Sequence, residues 1–206
     1  LRRGKTPSLF EVKQKILTRH VSSNIVATID TQGYYYLQTI NGIIINKNYS
    51  TKYILSLLNS ETINFFYEYT FNMGAEFTTA VAIENIDKLP INYVLKEVQK
   101  FEIFVDYIIF LKNQHSSNKS FYFEQLIDGM VYELYFENEI IHAGCDILKY
   151  LTDLPEITDE MNDDEKMKII TKVFNKLYDK ESPVRKNLFF MDSVNEIAII
   201  KKSLKK

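Results

Sequence analysis

Lys15-Ile-Leu-Thr-Arg-His-Val-Ser-Ser-Asn-Ile-Val-Ala-Thr-Ile-Asp-Thr-Gln-Gly33 is the stretch on which the fold turns. Two short β-branched runs, 15–19 and 24–29, are separated by a polar Ser22-Ser23 turn, and Asp30-Thr-Gln-Gly33 punctuates after them. β-Branched side chains fit a pleated surface and Ser, Asp and Gly mark chain reversals, so the pattern predicts short strands. Tyr34-Tyr-Tyr-Leu37 and Thr39-Ile-Asn-Gly-Ile-Ile-Ile45 read as further strand material. Together these runs predict an antiparallel meander or curled sheet, broken at Asn46-Lys-Asn48. Ser50 then suits the N-cap of a helix carrying Ile54, Leu57 and Leu58 on one face. A second helical stretch carries Ile63, Phe66, Tyr67 and Thr70. Phe71-Asn-Met-Gly-Ala-Glu-Phe77 reads as a loop pivoting on Gly74, and Thr78-Thr-Ala-Val-Ala-Ile83 as another strand. Leu89-Pro-Ile91 closes this unit and is the expected hinge to the second half of the chain.

Beyond Pro90 the hydrophobic period becomes helical. Phe101, Phe104, Val105, Ile108 and Leu111 recur at three-four spacing in a segment of about six turns, and His115-Ser-Ser-Asn118 breaks it. Leu126, Ile127, Met130, Val131 and Leu134 mark the next helix; Ile140, Ile141, Ile147, Leu148 and Leu151 mark another. Asn162 with Glu165, and Ser193 with Glu196, stand at capping-box spacing, while Ser182-Pro183 is an N-cap followed by an N1 proline. No internal repeat is present. The predicted class is α+β: a small mixed or antiparallel-sheet domain over 1–92, then an all-helical region over 93–206.

The 206 residues are 46% hydrophobic with six Gly and four Pro, enough to bury a core and too apolar for disorder. No apolar run approaches the length of a membrane span, and no apolar segment follows the polar opening as a signal peptide requires. One cysteine, Cys145, excludes a disulfide framework and fits a reducing cytoplasm. A soluble cytoplasmic protein without a membrane partner is therefore expected. The absence of an initiating Met points to a piece of something longer. The net charge of −2 hides an asymmetry: residues 1–100 hold 11 Lys/Arg against 8 Asp/Glu, and 101–206 hold 14 against 19. Such a split is a hint of one part facing nucleic acid and another facing something else.

Several chemistries are missing. No glycine-rich phosphate loop occurs, nor an Asn/Asp-Pro-Pro-aromatic run of the amino-methylating kind. His20, His115, His142 and Cys145 are the whole complement of His and Cys; His142 and Cys145 at i, i+3 amount to half a zinc site at most. Glu11-Val-Lys13 matches the E-x-K half of a nuclease metal site but lacks a clear acidic partner on a preceding strand. Neither catalytic residues, nor a metal site, nor a cofactor site is expected within the chain.

Asn24-Ile-Val-Ala-Thr-Ile-Asp30, Gly33-Tyr-Tyr, Tyr53-Ile-Leu-Ser-Leu-Leu-Asn-Ser60, Ile63-Asn-Phe-Phe-Tyr67 and Ile86-Asp-Lys-Leu-Pro-Ile91 resemble a known domain. It is the C-terminal specificity, or target recognition, domain of TaqI-like adenine-N6 DNA methyltransferases, which include the Eco57I-like type IIG restriction-modification enzymes. Leu126-Ile-Asp-Gly-Met-Val-Tyr-Glu-Leu-Tyr-Phe136, Ala143-Gly-Cys-Asp-Ile-Leu148, Pro183-Val-Arg-Lys186 and Phe190-Met-Asp-Ser193 resemble the helical tail that follows it. The resemblance implies sequence-specific recognition of double-stranded DNA on behalf of a catalytic methyltransferase core of the same polypeptide. S-adenosylmethionine would belong to that core, and Mg²⁺ to any cleavage; neither belongs to this piece.

A target recognition domain grips phosphates and reads base edges. Lys13, Lys15, Arg19, Lys47 and Lys52 are the phosphate candidates; the Arg19 fork also suits guanine O6 and N7. His20, Ser22, Ser23, Asn24, Thr39, Asn41, Asn72, Thr78 and Thr79 are hydrogen-bonding candidates on loops. Asn72-Met-Gly-Ala-Glu76 is the expected reading loop, with Gly74 allowing close approach and Glu76 able to accept from cytosine N4. Tyr34, Tyr35 and Tyr36 either stack on an extruded base or pack along a strand edge. The competing reading is a helical protein-interaction or dimerisation scaffold whose sheet half is merely structural.

Overall fold

The computed structural model describes residues 10–37, 39–72 and 80–204. It divides into two compact units, Leu1–Ile91 and Asn92–Lys206. The class is α+β, with a three-stranded antiparallel sheet in the first unit and helices throughout the second.

Strands β1 (Lys15–Arg19), β2 (Ala27–Asp30) and β3 (Ile40–Ile43) form the sheet, in the order β2-β1-β3. This is not a meander: β1 is central, and the chain must cross from one edge to the other between β2 and β3. Tyr34–Leu37, expected as strand, is that crossover and has no ladder partners. Ile16 pairs with Ile29 on one side and Ile43 on the other, Leu17 with Thr28 and Gly42. Alternation then puts Ile16 and Thr18 on one face and Lys15, Leu17 and Arg19 on the other. Tyr36 covers the Leu17 face. A Cβ built on Gly42 would lie 1.8 Å from Tyr36 Oη, so glycine is what lets the crossover lie flat on the sheet.

Helices α1 (Thr51–Asn59) and α2 (Glu61–Phe71) form a hairpin, and α1 packs on β1 and β2. Each starts at a serine whose hydroxyl accepts from the third helical N–H: Tyr53 N to Ser50 Oγ at 3.1 Å, Ile63 N to Ser60 Oγ at 3.3 Å. The strand expected over 78–83 is, within the described residues, one bridge between Val21 and Ala80. The short helix α3 (Ile83–Ile86) follows directly.

In the second unit α4 (Val98–Asn113) is 16 residues, shorter than six turns, and pairs with α5 (Ser117–Tyr135). Phe104 and Tyr107 each approach Phe123 at 5.6 Å between ring centres. The segment expected as one helix over 140–151 is divided: α6 (Glu137–His142) stops before Gly144, whose φ of +67° leaves the helical region, and a short 3₁₀ turn occupies Leu148–Tyr150. Glu133 on α5 is buried, and its Oε2 accepts from Ile147 N and Leu148 N at 2.6 and 2.9 Å. Helix α7 (Asp163–Tyr178) opens with the full capping box of Asn162 and Glu165, and α8 (Pro183–Phe190) with Pro183 in its first turn. Ser193 is not a cap for α9 (Asn195–Leu204); its hydroxyl donates to Phe190 O. Among the described residues no helix is long and apolar enough to cross a membrane.

Candidate nucleic-acid interface

The sequence candidates fall at two ends of β1. Lys13 precedes the strand, and Lys47 sits in the turn after β3, where Asn46 Oδ1 accepts from Asn48 N at 3.0 Å. Because β3 runs antiparallel to β1, both cations lie toward the Lys15 end. Lys52, in the first turn of α1, is half-buried and already engaged within the structure. Arg19, His20, Ser22, Asn24 and Asn72 gather at the other end, about 13 Å away at the rise of an antiparallel strand. Lys13, Arg19 and Lys47 are exposed, and among the described residues no ion pair engages them.

Two candidates are corrected by burial. Lys15 is 0% exposed: its ammonium sits 2.6 Å from Asp30 Oδ2 and donates to Phe10 O at 2.9 Å, so no phosphate can reach it. Asn41 is also buried, with Nδ2 committed to Val81 O at 2.7 Å, and it ties β3 to the segment that enters α3. His20 is half-buried. Its backbone is held on both sides, N to Thr39 O at 2.8 Å and O from Val81 N at 2.6 Å, and Nδ1 is buried without a hydrogen-bond partner among the described residues. Ser22 is half-buried and engaged, whereas Asn24 is exposed. Glu76, Thr78 and Thr79, with Gly74 and most of the expected reading loop, lie outside the described residues.

What holds the Arg19 end is a row of asparagines on the helical hairpin. Asn59 Oδ1 accepts from Ala27 N at 2.9 Å and its Nδ2 donates to Ala27 O at 3.0 Å, so one side chain satisfies the open edge of β2 as a neighbouring strand would. Asn64 Oδ1 accepts from Ile25 N at 2.7 Å, while its Nδ2 donates to Leu58 O and Ser60 O at 3.2 and 3.0 Å. Asn72 Nδ2 donates to Ser23 O at 3.3 Å. Ser23, Ile25 and Ala27 are thus clamped at alternate positions, and Asn24 between them is left facing water. Asn72 therefore serves as a brace for the 20–26 loop. Asn59 and Asn64 are not among the sequence candidates, although the sequence holds a signal for them. An asparagine inside an apolar helix, as Asn64 is between Ile63 and Phe65, favours that position only when its amide has buried partners.

Asp30 anchors the opposite end. Its carboxylate accepts from Gln32 N, Gly33 N and Tyr34 N at 2.8, 3.1 and 2.9 Å as well as from Lys15. Burial pushes this carboxyl up, but Lys15 and the backbone N–H groups outweigh it and hold it below the ordinary 3.8. Among the described residues no three His, Cys, Asp or Glu side chains are placed to hold a metal ion; Glu11 and Lys13 are both exposed, and His142 is exposed where Cys145 is buried. The arrangement offers exposed cations at both ends of a rigid sheet and a braced polar loop at one of them. Residues 1–91 match the family model of the TaqI-like C-terminal specificity domain. No curated protein and no solved structure matches the chain significantly.

Proposed function

We propose, from the match of residues 1–91 to the TaqI-like C-terminal specificity domain, that this unit reads a DNA sequence for an adenine-N6 methyltransferase of a restriction-modification system. The chemistry belongs to a catalytic core of the same polypeptide. The family match carries the reading, and the braced loop at the Arg19 end supports it. Base edges are read by groups fixed before contact, since a loop that must be ordered on binding loses affinity to entropy. Arg19 and Asn24 are the base-reading candidates, one suited to guanine and the other to adenine. Lys13 and Lys47 are the phosphate candidates, placing the duplex without informing on its sequence. Glu76, Thr78 and Thr79 stay as proposed contacts from the loop that follows Asn72.

Selection of bound duplexes from a random library by the full chain, followed by affinity measurement on the enriched site, tests this. A consensus motif is expected, with Arg19→Ala relaxing the preference at one base pair and costing about 1–3 kcal/mol there. Recovery of no consensus at low salt would overturn it. It would favour the scaffold alternative, in which the helical unit binds protein and the sheet unit touches no base.

A further inference from the structure

The crossover between β2 and β3 holds three large apolar side chains in water: Tyr34 is 62% exposed, Tyr35 72% and Leu37 83%. This is not a loose loop. Asp30 grips its first residues through three backbone N–H groups, the buried Lys15 neutralises Asp30, and Tyr36 seats the middle of the strap on Gly42. Tyr35 is already half of a stack, lying on the Phe10 ring at 4.9 Å between centres and 20° between planes, with most of its surface still open. A fold that spends a buried ion pair on displaying aromatic rings has positioned them for a flat partner. Charge says which. The strap begins at the end of the sheet that carries Lys13 and Lys47 and finishes where Ile40 pairs with Arg19, so exposed cations flank the rings at both ends. Aromatic faces interleaved with cations are the pattern that binds unpaired nucleotides, bases on the rings and phosphates on the charges.

We propose that the 31–37 strap is a binding site for unpaired nucleic-acid bases, with Tyr35 extending the Phe10 stack by one base and Tyr34 beside it. The inference goes beyond the duplex reading above: the strap shares its flanking cations with that surface, but its aromatic rings are separate from the Arg19–Asn24 loop and are tested on their own. Fluorescence anisotropy of the full chain with labelled dA12 and with a blunt duplex separates the two. The wild-type chain is expected to bind dA12, Tyr35→Phe to bind it equally, and Tyr35→Ala to bind it about 5- to 100-fold more weakly. Tyr35→Leu, which keeps apolar volume on Phe10 and removes the π-face, is expected to fall with Tyr35→Ala. Duplex binding should stay unchanged in all three. If dA12 binding is absent, or survives in both Tyr35→Ala and Tyr35→Leu, the strap proposal is overturned while the duplex-reading proposal stands. If dA12 binds with this pattern and no duplex is bound at low salt, the strap stands and the duplex reading falls.

Discussion

Asp30 accepts from four donors at once, and one of them is a lysine with no exposed surface. Desolvation makes such an ion pair a weak source of net stability, yet losing one partner strands the other's charge. Lys15→Met is therefore expected to destabilise the sheet unit by about 3–5 kcal/mol, read from the urea midpoint. The salt dependence of any DNA binding by the surviving folded fraction should not change. The depressed Asp30 carboxyl fixes the sign of a pH effect: its contribution is whole above 3.8 and is lost as pH falls through the lower folded value. Glu133 runs the other way. Burial raises its carboxyl above 4.5 against the pull of the Leu148 and Ile147 N–H groups, so its contribution is whole below 4.5 and declines as pH rises. Native-state hydrogen exchange at Leu17 and Ile147 across acid pH should show these opposite slopes, and equal slopes would contradict both assignments. Lys15 also shows why charge patterning misleads. It stands in the most basic segment of the chain, and its burial is decided by a register partner fifteen residues away that composition does not contain.

At the scale of elements, the helical hairpin braces the loop as well as covering the sheet. Removing the Asn64 amide leaves Ile25 N–H buried without an acceptor and takes the side-chain donor from Leu58 O, while Ser60 O keeps the backbone N–H of residue 64, so Asn64→Ala is expected to cost about 1–3 kcal/mol. Exchange protection should be lost first at Ile25 and then through Ser23, while Leu17 in the sheet centre keeps its own. Asn64→Asp should be worse, since it keeps the acceptor for Ile25 but buries a carboxylate against the Leu58 and Ser60 carbonyl oxygens, to which it cannot donate. Unchanged exchange at Ile25 in both variants would show that the loop is ordered by something else. The caps of these helices are legible in the sequence because Ser50 and Ser60 act on N–H groups three residues ahead, within reach of local pattern. Asn59 and Asn64 act across 32 and 39 residues, and the strand order depends on which edge the crossover reaches. Spacing in one dimension carries neither. Tyr34–Leu37 reads as strand for the same reason: β-propensity rewards exposed tyrosines whether or not a ladder receives them.

Over the whole molecule the near-neutral charge separates into a basic opening and an acidic helical stretch. The first twenty residues carry six Lys/Arg against one Asp/Glu, and residues 101–180 carry eight against sixteen. Each phosphate neutralised by a protein cation releases about 0.9 counterions, so the slope of log affinity against log salt counts the cations in contact. Lys13, Arg19 and Lys47 are exposed and free of ion pairs among the described residues, so replacing all three with alanine should reduce that slope by about 2, from the phosphate candidates Lys13 and Lys47. Lys168, Lys172 and Lys176 supply the control, since they are exposed on α7 amid acidic neighbours and their removal changes net charge by the same amount. A dependence on net charge alone would respond equally to both triple variants, whereas a Debye length of about 8 Å at physiological salt confines the effect to cations near the phosphates. Contact counts differently: only the cations that displace counterions from the duplex alter the slope. An unchanged slope in the α7 variant beside a reduced one in the sheet variant would place the duplex on the first unit. Equal changes would leave charge without a location, and with it the division of labour between the halves.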